Sequence, residues 1–421
     1  MLGVRPGRTA TSFMPVGSPL RSPFVGRERE IALLEAFLDQ SQAGQGLVVG
    51  LVGVPGIGKS RLLTELRQRW SARGLPIVSG HCLAYGSLTP YLPVLDLLRD
   101  VCDITEDDDA DALAARVCLG LQQSRLDPDA GVPFLLPLLG VAIPANSLAE
   151  LSAEARKART FEILRQLFLG RSQQQPLALA IEDLHWMDPT SEAWLTSLVE
   201  RLAGAPLCLL TTYRPGYRSP WLEKSYMTQL ALPALGAEAS RQVVRNVLQQ
   251  TPLSPALEQH ILGKAEGNPL FLEELAHMVR EQDGPAPILT IPDTIQAVLA
   301  ERLERLSAAD KRLLHAAAVI GEPLTVPLLQ AVAGLPEEAL SHSLAHLQAA
   351  EVLVVRGVVP TPLYTFKHIV TQEVAYQSIP VSTRQQYHQQ VAQVLVEQWP
   401  TVVQTHPELL AQHYTGAGDT A

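Results

Sequence analysis

The chain has 421 residues, 47% of them apolar and 18% charged, with a formal net charge of −10 at neutral pH. That length and apolar share support two or three packed domains and exclude a disordered chain. The acidic balance speaks against a general binder of nucleic acid or of membrane surfaces. No apolar run approaches the length of a bilayer span, and the first residues lack a charged-then-apolar leader, so a cytoplasmic location is the expectation.

Residues 1–22 are rich in Gly, Pro, Ser and Arg without periodicity and read as a flexible linker. Order is expected from Pro23-Phe24-Val25-Gly26-Arg27, then a helix with Ile31, Leu33, Leu34, Phe37 and Leu38 on one face. Gly44 and Gly46 mark a turn into the apolar run at 47–52, which suits a buried parallel strand. Next comes Gly53-Val54-Pro55-Gly56-Ile57-Gly58-Lys59-Ser60, which fits the phosphate-binding loop G-x-x-x-x-G-K-[ST]. After it, Leu62, Leu63, Leu66 and Trp70 recur at helical spacing, with Gly74 as a stop.

Strand, glycine loop and helix together make an anion site, because backbone N–H groups converge where the helix N-terminus carries partial positive charge. Gly53, Pro55, Gly56, Ile57, Gly58 and the flanking Arg61 are the candidate phosphate cradle. Lys59 would reach the β- and γ-phosphates, and the Ser60 hydroxyl would ligate Mg²⁺. An ordinary glycine-rich turn is the bland alternative, which the strand–loop–helix context disfavours.

Further strands are expected at 76–80, 177–181 and 207–211, separated by helical segments, which argues for a parallel sheet covered on both faces. The stretch 83–175 exceeds one crossover and reads as inserted helices, with the acidic run at 106–111 as a solvated loop or helix start. The strand at 177–181 ends in Glu182-Asp183, carboxylates that would stand beside the phosphate loop. One acid can hold Mg²⁺ while the other orients the attacking water. Acids also end strands as helix caps, but Asp188 before Pro189 already fills that role. Arg214, after the next strand, could sense a γ-phosphate or lie solvated at a strand end.

From about 235 amphipathic helices dominate, interrupted by 352–355 and 364–366 around Gly357 and prolines, the pattern of a winged-helix unit at 291–400. Residues 407–414 read as one amphipathic helix ending near Gly416. Cys82, Cys102, Cys118 and Cys208 are widely spaced, and the eleven histidines show no H-x-x-x-H pairing, so neither a disulfide framework nor a metal site is expected.

As an ordered set these motifs resemble the STAND class of signal-transduction ATPases, AAA+-related and origin-recognition-like. The pattern is carried by Phe24-Val25-Gly26-Arg27-Glu28-Arg29-Glu30, the phosphate loop, Glu182-Asp183-Leu184-His185-Trp186-Met187-Asp188 and Thr212-Tyr213-Arg214. Gly267-Asn268-Pro269-Leu270-Phe271-Leu272-Glu273-Glu274-Leu275, Phe366-Lys367-His368 and Glu373-Val374-Ala375-Tyr376 extend it. The resemblance implies an α/β P-loop core at 23–232, a helical lid at 233–290, a winged helix at 291–400 and the start of helical repeats at 401–421. It implies that Val25, Gly26 and Arg27 line an adenine pocket, that Pro269 packs on the base and that His368 contacts the β-phosphate of ADP. Lys59, Asp183, Glu182 and Arg214 would then carry catalysis with ATP and Mg²⁺, Ser60, Glu182 and Asp183 serving the metal. Asp183 is expected to orient water, with Glu182, where many such ATPases have Asp, on the metal side.

The implied behaviour is a switch, ADP-bound at rest and self-associating with ATP, acting on a cyclase or other output domain. The chain is also expected to be a fragment or split product, since relatives continue into helical repeats and some begin with a cyclase. A DNA-binding origin-recognition ATPase is disfavoured by seven basic against ten acidic residues over 291–400. A scaffold without turnover is disfavoured by the intact Lys59-Ser60 and Glu182-Asp183.

Overall fold

The computed structural model describes residues 23–82, 90–105, 108–143, 151–249, 253–280, 292–321, 324–356 and 362–418. The expected linker at 1–22, Glu106 and Asp107 of the acidic run, and Gly357 lie outside the described residues.

Helix α1 (Glu28–Gln42) leads into strand β1 (Leu47–Val52), and α2 (Lys59–Ser71) opens directly after the glycine loop. Strand β2 (Ile77–His81) precedes the inserted helices α3 (Leu92–Val101), α4 (Ala110–Gln123), α5 (Pro128–Leu135) and α6 (Ala153–Gln174). Asp109 caps α4 by accepting from the Ala112 N–H, so this part of the acidic run is a helix start. Strand β3 (Leu177–Glu182), helix α7 (Pro189–Val199) and strands β4 (Leu207–Tyr213) and β5 (Met227–Ala231) complete the first part. Asp188 caps α7 through the Thr190 and Ser191 N–H groups, with Pro189 in the first turn, as its sequence position requires.

The five strands pair in parallel in the order β2-β3-β4-β1-β5. Alternation along each strand divides the core between two faces. Val48, Leu177, Leu179, Ile181, Leu207 and Leu209 pack toward α3–α7. Val49, Leu51, Ala178, Ala180, Cys208 and Leu210 pack toward α1 and α2. This is the expected α/β core with a parallel sheet covered on both sides. Strand β5 escapes the sequence pattern because it is a half-exposed edge with Thr228 and Gln229 in place of an apolar run.

A third apolar cluster joins α8 (Ala237–Leu248), α9 (Pro255–Ala265) and α10 (Pro269–Arg280) to α11 (Ile295–Glu304) and α12 (Ala308–Ile320). It continues through β6 (Leu324–Thr325), α13 (Val326–Ala333), α14 (Glu337–Ala349), β7 (Leu353–Arg356), β8 (Leu363–Phe366) and α15 (Ile369–Ser378). The two expected strands pair antiparallel, Leu353 opposite Phe366 and Val355 opposite Tyr364. Two-residue β6 adds a third strand in the order β6-β8-β7, too short to leave a period in the sequence. Helices α16 (Val381–Gln398), α17 (Pro400–Thr405) and α18 (Pro407–Ala417) follow. Among the described residues no helix is long and apolar enough to cross a membrane.

Candidate functional site

Because β4 lies between β3 and β1, the carboxyl edge of the sheet lines up the acid pair, Arg214 and the glycine loop side by side. The loop adopts the backbone that its glycines permit, with φ of +78° at Gly56 and +101° at Gly58, the residue that caps α2. Lys59 is buried, and its ammonium donates to the carbonyls of Gly53 at 2.9 Å and Val54 at 3.3 Å. Burial lowers its pKa, partly offset by Asp183. Ser60 is exposed on the first turn of α2, and Arg61 lies over the Phe24 ring, 5.9 Å from its centroid.

Asp183 sits in left-handed backbone at φ +59°, an unusual conformation for a residue with a side chain. The Thr212 hydroxyl on β4 holds it there, accepting from the Asp183 N–H at 2.9 Å. Burial, reinforced by Glu182, pushes the Asp183 pKa up to about 6. Glu182 itself stands 4.0 Å from the Arg67 guanidinium. His185 has its Nδ1 4.0 Å from Asp183, and both ring nitrogens are buried without a hydrogen-bond partner. Burial, then the nearby Arg214 and Lys59, lower its pKa to about 4, so the ring is neutral. Its place in the segment 182–188 gives it no role by itself; its orphaned nitrogens beside the acid single it out.

The guanidinium of Arg214 stacks on Trp186 at 4.9 Å and pairs with Glu373 of α15. Lys59 and Asp183 each feel the charges of the other, of Arg214 and of Glu373. Glu373, like His185, is a site residue to which the sequence assigns no role.

Two other sequence candidates seal the loop from outside the sheet. The N-terminus of α10 rests on it: the Leu270 N–H donates to the Gly56 carbonyl at 3.3 Å, and the Asn268 amide to that of Pro55 at 2.9 Å. Pro269, between them, is the first residue of α10. Arg27 is buried and spends its guanidinium on the carbonyls of Ile57 at 3.1 Å and Pro233 at 2.8 Å. Gly26 packs against Ala239 and Leu235, and Val25 against the same apolar cluster. A cavity of about 740 Å³ opens between the loop (Gly53, Val54, Ile57) and the junction of α9 and α10 (Ala265, Asn268, Phe271). Its size suits a nucleotide. His368 has its Nε2 3.5 Å from Glu273 of α10. The structure thus gathers Lys59, Glu182, Asp183 and Arg214, and it sets His368 against α10.

The donor set fits a magnesium-dependent phosphate site. Ser60, Glu182 and Asp183 offer hard oxygen ligands next to a glycine cradle. The unpartnered His185 nitrogens fit a site that admits one more polar molecule. Among the described residues no group of three or more His, Cys, Asp or Glu side chains could hold a metal by itself.

Residues 23–210 match the AAA ATPase domain family. An uncharacterized protein of Rhizobium meliloti (strain 1021) is 29% identical over 413 residues, covering 94% of this chain and 39% of the relative. A STAND protein with a tetratricopeptide repeat sensor from Pyrococcus horikoshii has the same fold, with a TM-score of 0.50 and 15% identity over 94% of this chain and 50% of that one. The Aeropyrum pernix ORC1 protein in complex with DNA aligns with a TM-score of 0.36 and 14% identity, over 86% of this chain and 95% of its own. The chain spans about two fifths of the curated relative it matches.

Proposed function

We propose that this chain, an AAA ATPase domain at 23–210 set in the fold of a signal-transduction ATPase with numerous domains, is an ATP-hydrolysing switch that rests with ADP and self-associates with ATP. The observation that carries the proposal is that the phosphate loop is held from outside its own domain: Leu270 and Asn268 donate to its carbonyls. A nucleotide filling the loop therefore bears on the lid (233–290) and on the winged-helix unit (291–400) that packs on it. ATP and ADP must prefer different arrangements of these parts, since equal affinity for both would shift nothing.

In the proposed reaction Lys59 turns from the Gly53 and Val54 carbonyls to the β- and γ-phosphates. Asp183 accepts a hydrogen bond from the attacking water and takes its proton as the bond between the γ-phosphorus and the ADP oxygen breaks. A carboxyl with a pKa near 6 is largely ionised at neutral pH and basic enough for that task. Neutral His185 can orient the same water, and Arg214 offsets charge on the γ-phosphoryl oxygens. Mg²⁺, when bound by Ser60 and Glu182, supplies further charge neutralisation at the phosphates. Val25, Gly26, Pro269 and the cavity beside the loop are proposed to hold the base. His368 is proposed to reach the β-phosphate of ADP once it parts from Glu273. An output unit, attached or separate and of cyclase or similar type, is the proposed target.

The test compares ADP with a non-hydrolysable ATP analogue by light scattering and limited proteolysis. ATP-specific association and a new cleavage pattern are expected, and Lys59→Ala abolishes both, with nucleotide affinity falling by roughly 100-fold. An oligomeric state and cleavage pattern that ignore the nucleotide would sink the switch reading.

A further inference from the structure

We propose that Glu373 is an internal competitor of the γ-phosphate: by holding Arg214 in the closed form, it makes the site favour a nucleoside diphosphate over a triphosphate. The inference rests on the nucleotide-switch reading above and adds to it the residue that tells the two nucleotides apart.

Arg214 comes from the end of β4 and Glu373 from α15, 159 residues later, yet the two side chains pair directly. The guanidinium is fixed on one face by Trp186, which leaves its N–H edge to be shared among whatever anions the site contains. Glu373 fills that edge with a carboxylate only 13% exposed. It is also close enough to feel Lys59 and to be felt by Asp183. An anion in this position meets the same two cations that a γ-phosphate needs.

A diphosphate ends short of the Arg214 edge and leaves the pair intact. A triphosphate brings a second anion to it, and two anions at one guanidinium repel each other across a poorly hydrated gap. Helix α15 packs on α11 and α12, so its carboxylate cannot follow the arginine without those helices. Displacing Glu373 therefore separates the carboxyl edge of the sheet from the 291–400 region. By reciprocity, whatever parts the two also raises triphosphate affinity.

The test measures affinities for ADP and for a non-hydrolysable ATP analogue in the full chain with Mg²⁺. Glu373→Gln keeps the shape and removes the charge. Its affinity for the triphosphate should rise by roughly 5-fold or more relative to ADP. The gain should vanish when Glu373→Gln is placed in an Arg214→Gln background, a dependence that a merely structural role would not produce. Glu373→Asp, with the charge retained on a shorter reach, should move the ratio the same way by less. An unchanged ratio in both single variants, or an equal gain without Arg214, overturns the proposal while leaving the nucleotide switch standing. Failure of the unaltered chain to bind either nucleotide would overturn both.

Discussion

At the carboxyl edge of the parallel sheet, Lys59, Asp183, Arg214 and Glu373 gather two cations and two acids in a partly buried cluster. Where α15, α16 and α18 meet, Tyr376, His388 and His413 gather three rings in a more deeply buried cluster. The Tyr376 hydroxyl meets His388 Nε2 at 2.9 Å, and the two histidine Nδ1 atoms meet at 3.0 Å. This second chain of hydrogen bonds closes with both imidazoles neutral. Helix α18 comes so near that a side chain at Gly416 would meet the His388 ring at 2.6 Å. One cluster keeps charges that an incoming ligand can rearrange, and the other has no charge left to exchange. Burial alone therefore does not identify a site; unspent charge does.

The largest expected effect strikes the first cluster alone. Asp183→Asn removes the proposed water base and should slow hydrolysis by roughly 10²–10⁴-fold, with ATP affinity changed only a few-fold. Single-turnover rates beside equilibrium binding make the measurement. Retained turnover would transfer the role to Glu182 and break the assignment of functions within the pair.

The two clusters should also respond to pH with opposite sign. The Asp183 pKa is raised to about 6 in the fold from an ordinary 3.8, so between those values the folded chain binds the extra proton and this group's contribution falls as pH rises. Burial lowers His388 to about 4 and His413 to about 3, from an ordinary 6.5. Their contribution is complete above pH 6.5 and is lost as pH falls through the folded values, because the unfolded chain takes up the protons first. Each fully differential proton changes stability by about 1.4 kcal/mol per pH unit. Denaturation midpoints from pH 4 to 6.5 should accordingly rise more steeply with pH in Asp183→Asn than in the parent, and less steeply in His413→Leu. Parallel curves for all three would erase the distinction between the clusters.

What the sequence made legible follows the same divide. The phosphate loop, the strand ending in Glu182-Asp183 and the Asp188 cap are local features, each decided by neighbours within a few residues. The resemblance named Arg27 and Pro269 as site residues, but not that Arg27 and Asn268, the neighbour of Pro269, hold the loop's carbonyls across 30 and 213 residues of sequence. Glu373 opens one of the motifs that carry the resemblance, but that motif gives it no role at the site; only the packing of α15 brings it to Arg214. The histidine pair escapes the sequence for a similar reason, since its members lie 25 positions apart on α16 and α18 and no short spacing signals it.

The smallest expected effect probes whether the second cluster is as neutral as its burial makes it. Tyr376→Phe deletes one hydroxyl and leaves His388 Nε2 buried without that partner. The ring itself remains, edge-on to His388 at 5.9 Å and beneath the Arg384 guanidinium at 4.6 Å, so packing is retained. Loss of one hydrogen bond between neutral groups should cost about 1 kcal/mol, read from the denaturation midpoint at pH 7.5. A hydroxyl serving a charged imidazolium would be worth roughly 1.5–3 kcal/mol, because hydrogen bonds to charged groups are stronger. The two cases also separate by pH. With neutral rings the cost holds constant from pH 7 to 9, whereas a charged ring would shed its proton as the partner is removed and give a cost that falls with pH. A large, pH-dependent loss would place a charge between α16 and α18 and make that junction, like the edge of the sheet, a place where protons or ligands can act.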